Sequence, residues 1–319
     1  MNGASSGKGY TFAVLAFSLW GIFPLYWKLL IAVNPLHILS FRILLSLALV
    51  GTILLAQKKI RWLAVFKERK KAGFLALTAL LICCNWGLYI WAVNSGFTIE
   101  ASLGYYINPL ISIVLGLVFF RERLKPLQWA AVGIACAGVL LLTVLSGTLP
   151  WISLILALTF GFYSLLKKQF AISALESLGT ETLASAPFGI VLMCFSLTGT
   201  SDSSGILQGT SLPIFTGFQG LAYLTALPIH TLGAFALCGA VTMLPLYFFA
   251  RGAKLLPLSA LGFTQFIGPT LQFMLGLFVF GETFPPRYFA AFTLIWTAVI
   301  LYIISLKPVP RVKPVKAVK

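Results

Sequence analysis

The 319-residue sequence is 59% hydrophobic and only 9% charged, and its mean hydropathy is +0.98. Soluble globular proteins carry about 25% charged residues, so this composition excludes them and predicts an all-α integral membrane protein. The net charge of +16 would also suit a nucleic-acid-binding protein, but the positions of the basic residues argue against that class.

Ten apolar segments are each long enough to cross a bilayer as a helix, which takes about 20 residues. Spans 1 to 5 cover 10–31, 37–57, 72–93, 100–120 and 127–145, and spans 6 to 10 cover 150–168, 180–199, 229–250, 259–280 and 287–306. The first segment is as long as a full span, so we interpret it as span 1 and not as a cleavable signal peptide. The polar segment 200–228 is predicted to be an external loop.

The basic residues are distributed unevenly across the predicted spans. With the N-terminus in the cytoplasm, 20 of the 23 lie on the cytoplasmic side, and only Lys28, Arg42 and Arg287 fall toward the other face. This bias orients membrane proteins, so both termini, including the basic tail 307–319, are predicted to be cytoplasmic in a bacterial cell membrane. We attribute the charge to topology and to contact with anionic headgroups of the lipid bilayer, and expect no nucleic-acid partner.

The two halves of the chain repeat each other. Matching stretches lie at an offset of 140 to 160 residues: Lys28 with Lys168, 89–105 with 247–263, and Pro109 with Pro269. Each half, 8–145 and 150–306, contains five spans. Because five is odd, the halves are expected to be inverted relative to each other, an arrangement typical of transporters.

Three segments carry a family resemblance: LWGIFPLYWK at 19–28, NWGLYIWAVNSGFTIEASLGYYINPL at 85–110 and LGFTQFIGPT at 261–270. They resemble RarD-type EamA transporters of the drug/metabolite transporter superfamily, and the resemblance extends over nearly the whole chain. It implies ten transmembrane helices in two inverted five-helix EamA repeats around a central cavity. It also implies secondary transport of a small organic solute, of unknown identity, without a cofactor. The match is not uniform: the second repeat has Ser164 where the first has Pro24, and Thr264 stands in span 9 where the family usually has a second aromatic residue.

Three prolines lie inside the predicted spans: Pro24, Pro109 and Pro269. A proline leaves the carbonyl four residues earlier without its helical donor, which for Pro24 is the carbonyl of Trp20. Such a carbonyl must be satisfied by protein or by water in a cavity. We predict helix bends at all three, with spans 4 and 9 lining the central path; ordinary kinks packed against neighbouring helices are the alternative.

Polar side chains at membrane depth are costly and often functional. Six are predicted to bind the solute: Asn85, Tyr105, Tyr106, Asn108, Gln265 and Gln272. Their amide and hydroxyl groups suit an uncharged or zwitterionic solute, although Asn and Gln also join helices to one another.

Four charged residues are predicted to gate or couple transport: Lys28, Arg42, Lys168 and Glu181. Arg42 is expected near the outer mouth and Glu181 near the inner mouth, and snorkelling of these side chains to the interface is the alternative. Glu181 is the only acid predicted in the path, so proton-driven antiport, exchange and facilitated diffusion all stay open, as does export.

Other functional classes fit the sequence less well. An enzyme needs a nucleophile, paired carboxylates or a metal cluster, and a channel needs a repeated filter or a ring of charges. The sequence has neither pattern at membrane depth, and its five cysteines have no metal-ligand spacing. A sensor or scaffold on the same fold is the main alternative. We expect alternating access around a site built from spans 1, 3, 4, 6, 8 and 9, and a possible homodimer through Gly133 and Ala137.

Overall fold

The computed structural model describes residues 3–30, 33, 35–94, 97–147, 151–169, 172–198, 228–281 and 286–306. The tail 307–319 and the predicted loop 200–228, apart from Pro228, lie outside them. Every regular element in these ranges is helical. The helices are α1 (Gly3–Lys28), α2 (Pro35–Ala56), α3 (Arg69–Asn94), α4 (Thr98–Phe119), α5 (Pro126–Ser146), α6 (Trp151–Gln169), α7 (Ala174–Thr198), α8 (Ile229–Ala236), α9 (Cys238–Leu255), α10 (Leu258–Gln265), α11 (Ile267–Phe278) and α12 (Phe289–Ser305), with 3-10 helices at Ile60–Lys67 and Pro286–Tyr288.

Nine helical segments of the described chain are long and apolar enough to cross a membrane. They correspond to nine of the ten predicted spans, with α8 and α9 together forming span 8, and α10 and α11 forming span 9. The remaining predicted span corresponds to α7, which is 25 residues long and carries Glu176 and Glu181 in its N-terminal half. The prediction of an all-α membrane protein is confirmed at this level.

Helix α7 begins six residues before the predicted start of span 7, and a capping box explains the difference. The Ser173 hydroxyl accepts a hydrogen bond from the Glu176 amide at 3.3 Å, and the Glu176 carboxylate accepts one from the Ser173 amide at 3.2 Å. Such a reciprocal pair satisfies amides that the first helical turn leaves without partners. Glu181 therefore lies about two turns inside α7, and not at its end.

Two predicted spans are interrupted. Span 9 breaks at Phe266, three residues before Pro269, whereas α1 and α4 continue through Pro24 and Pro109. Span 8 breaks at Leu237, where the sequence pattern predicts no interruption.

The chain forms two compact units, and the first covers Met1–Arg121 and Leu149–Thr283. In it α4 packs on α6 and α10, α1 packs on α9 and α11, and α2 packs on α7. The contact between α4 and α10 depends on Gly262, because a Cβ atom there would lie 2.7 Å from the carbonyl oxygen of Pro109. The duplicated segments therefore pack against each other.

The second unit consists of Glu122–Thr148 and Phe284–Lys319, in which α5 packs along α12. A Cβ atom on Gly138 would lie 3.0 Å from a backbone carbonyl of α12, so this glycine permits the close approach. Lys125 donates a hydrogen bond to the Ser305 carbonyl at 3.0 Å. Gly133 and Ala137 lie exposed on α5, and their role in a homodimer stays a prediction.

Candidate functional site

A small cavity lies within the first unit, between α2, α3, α6, α7 and α9. Its lining residues are Arg42, Ile43, Ser46, Ile82, Trp86, Tyr163, Leu178, Glu181, Thr182, Ser185, Thr242 and Leu246. The expected path used spans 1, 3, 4, 6, 8 and 9. Spans 3, 6 and 8 line the cavity, as expected for the path. Spans 2 and 7 line it in place of spans 1, 4 and 9, because α4 and α10 are closely packed on each other.

The two charged residues of this lining mark its two ends. Gly179 packs on Leu54 and Gly189 packs on Ile43, so α2 and α7 run antiparallel. In this register Glu181 lies about 12 Å along the helix axis from Arg42, at 1.5 Å per residue. The prediction put these residues at opposite mouths; in the structure they line one small cavity.

Arg42 forms the first end. Its Nε donates a hydrogen bond to Thr242 Oγ1 at 3.0 Å, and its Cζ lies 4.9 Å from the ring centroid of Trp27 and 4.7 Å from that of Trp86. Aromatic faces attract a guanidinium through their negative quadrupole. The two ion pairs among the described side chains, Lys71–Glu68 and Lys167–Glu181, do not include Arg42, so no described carboxylate compensates its charge.

Glu181 forms the second end, and its charge is compensated. Its Oε1 lies 2.5 Å from Lys167 Nζ, and the two side chains are only 5% and 1% exposed. Lys167 also donates to Ser177 Oγ at 2.8 Å, and the Tyr163 hydroxyl donates to Glu181 Oε2 at 3.3 Å. Tyr163 is fully buried in an aromatic cluster, with Phe160 and Phe249 as ring neighbours. This end is a neutral, closely packed network.

The six residues predicted to bind the solute lie outside this cavity lining, and four of them join helices. Asn85 donates to the Leu156 carbonyl and to Thr159 Oγ1, both at 2.9 Å. Gln265 donates to Ser112 Oγ at 2.8 Å, and the Tyr106 hydroxyl donates to the Pro269 carbonyl at 3.2 Å.

The fourth of these joining residues, Gln272, satisfies a carbonyl that proline frees. Its Nε2 donates to the carbonyl of Trp20 at 3.1 Å. That is the carbonyl predicted to lack its helical donor because of Pro24, so protein and not cavity water satisfies it.

The last two predicted residues are Tyr105 and Asn108. The Tyr105 ring packs on that of Tyr89, with centroids 5.5 Å apart. Asn108 is 6% exposed, and its Oδ1 has no hydrogen-bond partner among the described residues. A solute role for these six residues stays a prediction.

Lys28 and Lys168 occupy related positions in the two halves. Lys28 Nζ lies 4.4 Å from the ring centroid of Phe280, and Lys168 Nζ lies 5.3 Å from that of Phe120. Phe120 and Phe280 are themselves matched by the internal repeat. Each lysine therefore contacts the repeat-related phenylalanine of the opposite half. Lys168 additionally donates to the Leu256 carbonyl.

Sequence reasoning missed the residues that surround Arg42 and Glu181. Trp27 and Trp86 resemble interfacial or packing aromatics, and Lys167 was assigned to topology along with Lys168. One signal was available: the Ser-x-x-Glu pattern at 173–176 predicts an earlier start of α7. That start places Glu181 deep enough to require a buried partner.

Comparison with known proteins identifies the family. Residues 7–144 match the EamA-like transporter family. The uncharacterized transporter YojE of Bacillus subtilis (strain 168) is 40% identical over 310 residues, 96% of each chain. Protein RarD of Streptomyces exfoliatus is 39% identical over 294 residues, which are 92% of this chain and 87% of that protein. Protein RarD of Escherichia coli (strain K12) is 34% identical over 306 residues, 96% of this chain and 97% of that protein.

A solved crystal structure of 20% sequence identity superposes with a TM-score of 0.64, over 95% of this chain and 98% of that one. This likeness concerns the fold alone. The sequence matches carry the assignment: the chain belongs to the EamA family as a RarD-type member, and it is a membrane transporter of the drug/metabolite type.

Proposed function

We propose that this protein is a secondary transporter that moves a small organic solute by alternating access, and that the Arg42–Glu181 cavity is its solute site. The observation that carries the proposal is the guanidinium of Arg42, which no described carboxylate compensates. A charged side chain about two turns inside an apolar helix is costly and marks a solute or ion pathway by default. Here it lines a cavity between five helices.

The pattern of helix packing supports two inverted five-helix repeats. Repeat symmetry would relate α1 to α6, span 4 to span 9 and span 3 to span 8. A contact of α1 with span 9 then requires a contact of α6 with span 4. In the same way, a contact of α1 with span 8 requires a contact of α6 with span 3. All four pairs are in contact. Two further helix pairs, α2 with α7 and α4 with α10, each join one element to its own counterpart in the other half, and both are in contact. The Lys28–Phe280 and Lys168–Phe120 contacts would be related to each other by the same symmetry.

The basic-residue bias supports an inner-membrane orientation with both termini in the cytoplasm. In that orientation α1 ends at the outer face and α6 at the inner face. The Lys28–Phe280 pair then joins the halves at the outer end, and the Lys168–Phe120 pair joins them at the inner end. Alternating access requires that one end opens while the other stays closed, so these two contacts are the natural closures.

Cysteine accessibility tests the proposal. In a variant without its native cysteines, Ser46→Cys and Thr182→Cys introduce single thiols into the cavity lining. Impermeant thiol reagents are then applied to right-side-out and inverted vesicles. Lys28→Met removes the outer closure and is expected to raise labelling from outside and lower it from inside; Lys168→Met is expected to do the reverse.

The control is Val144→Cys, on an exposed face of α5 at 68% exposure, whose labelling should not respond to either closure variant. Labelling of one cavity thiol from both sides at once, with neither closure variant shifting the ratio, would indicate a channel and refute alternating access.

A further inference from the structure

We infer that the solute is an organic monocarboxylate with an apolar body, whose carboxylate binds Arg42. The inference rests on the proposed function of the cavity and names the chemical class that the cavity selects. Its evidence is the balance of charge, the unused hydrogen-bond donors and the apolar character of the walls.

Among the described side chains, the charges near the cavity leave one positive charge over. Arg42 and Lys167 each contribute one positive charge and Glu181 contributes one negative charge, and the Lys167–Glu181 pair is closed at 2.5 Å. In a low-dielectric interior an uncompensated charge is costly. A solute with a single negative charge brings the net charge of the cavity to zero, whereas a dianion makes it negative. A neutral solute leaves the positive charge unchanged, and a cationic solute increases it.

The unused donors of Arg42 point to a carboxylate. A guanidinium has five N–H groups in a planar fork, four of them on its Nη atoms. Within the described part of the chain its hydrogen bond is that of Nε to Thr242, so the Nη groups have no protein acceptor there. The fork matches the two oxygens of a carboxylate, and the rings of Trp27 and Trp86 hold the guanidinium plane in place.

The second end of the cavity argues against a zwitterion. The ammonium of a zwitterionic solute needs a carboxylate, but Glu181 already forms an ion pair with Lys167 and accepts a hydrogen bond from Tyr163. Between the two ends, Ile43, Ile82, Leu178 and Leu246 supply apolar wall. Such a wall offers no hydrogen-bond partners, so a polar group of the solute placed against it would stay unpaired and costly, whereas an apolar body would not.

Five probes with a shared phenylalkyl body separate the classes. They are 3-phenylpropionate, its neutral amide, the cation 2-phenylethylamine, the zwitterion phenylalanine and the dianion benzylmalonate. Binding to the purified protein is followed by its intrinsic tryptophan fluorescence, to which Trp27 and Trp86 beside Arg42 contribute. We expect 3-phenylpropionate to bind, and the amide, amine and zwitterion to bind at least about tenfold more weakly, the cost of a lost charge-assisted hydrogen bond.

Two variants and a control assign the effect to Arg42. Arg42→Gln is expected to abolish the preference for the acid over the amide. Arg42→Lys keeps the charge, and so the fold, but loses the fork, and is expected to weaken acid binding about tenfold. Arg251→Gln removes an exposed positive charge from the same unit and should leave the binding unchanged.

Equal or tighter binding of the amide or amine, no binding of the acid up to about 10 mM, or unchanged acid binding by Arg42→Gln would each overturn the monocarboxylate assignment. The reciprocal labelling of the cavity thiols depends on no probe. A protein that fails the binding experiment and passes the labelling experiment therefore keeps its transport mechanism and loses only this solute class.

Discussion

Neutralising one member of the buried Lys167–Glu181 pair should destabilise the protein far more than neutralising both. Glu181→Gln leaves the Lys167 ammonium with the Ser177 hydroxyl and the Tyr163 ring, at a site where the lysine side chain is 1% exposed. Breaking a buried pair in this way costs about 3–5 kcal/mol, whereas replacing both partners by uncharged residues of similar size is often neutral. The double variant Lys167→Met with Glu181→Gln should therefore recover most of the loss.

The chain provides a matched control for this experiment. Lys71 and Glu68 form an ion pair at 2.7 Å with side chains 45% and 59% exposed, and such surface pairs contribute about 0–1 kcal/mol. A double-mutant cycle on each pair, read from SDS-induced unfolding in mixed micelles by tryptophan fluorescence, gives the two coupling energies. We expect about 3 kcal/mol or more for the buried pair and less than about 1 kcal/mol for the exposed one. Equal coupling energies would refute the reasoning.

Three further variants test the packing of the halves and the predicted solute groups. Gly262→Val should prevent stable folding, because its Cβ would lie 2.7 Å from the Pro109 carbonyl oxygen; normal yield and a monodisperse chromatography profile would contradict this. Gln272→Leu leaves the Trp20 carbonyl without its side-chain donor and should cost about 1–3 kcal/mol in SDS unfolding. Asn108→Leu removes a buried oxygen that has no described partner, so unfolding should show no loss of stability, while lost probe flux in liposomes would assign Asn108 to the solute path.

Much of the fold could be predicted because hydrophobic length is a local property of the sequence. The apolar segments identify the membrane helices, and Pro269 predicts the interruption of span 9. The start of α7 also has a local signal in the sequence, the capping box of Ser173 and Glu176. Hydropathy alone does not show this signal, because both residues are polar. The break at Leu237 has no proline or charge at that residue that would have predicted it.

The candidate site could be predicted only in part, for a physical reason. Arg42 and Glu181 were identified because charge in an apolar segment is costly wherever the helix packs. Which side chains surround them depends on helix rotation and on partners distant in the chain, such as Thr242. An amide such as that of Asn85 has the same donors whether it meets a solute or the Leu156 carbonyl, so its role is set by the fold.

The Lys28–Phe280 and Lys168–Phe120 pairs differ in the contacts that each lysine makes. In the described chain Lys28 is exposed and has its contact with Phe280, whereas the partly buried Lys168 has both Phe120 and the Leu256 carbonyl. One additional hydrogen bond is worth about 0.5–1.5 kcal/mol, or a population ratio of about 2 to 12. If these contacts are the closures of the proposed carrier, its unloaded form favours the state sealed toward the cytoplasm only by that ratio, so both states stay populated.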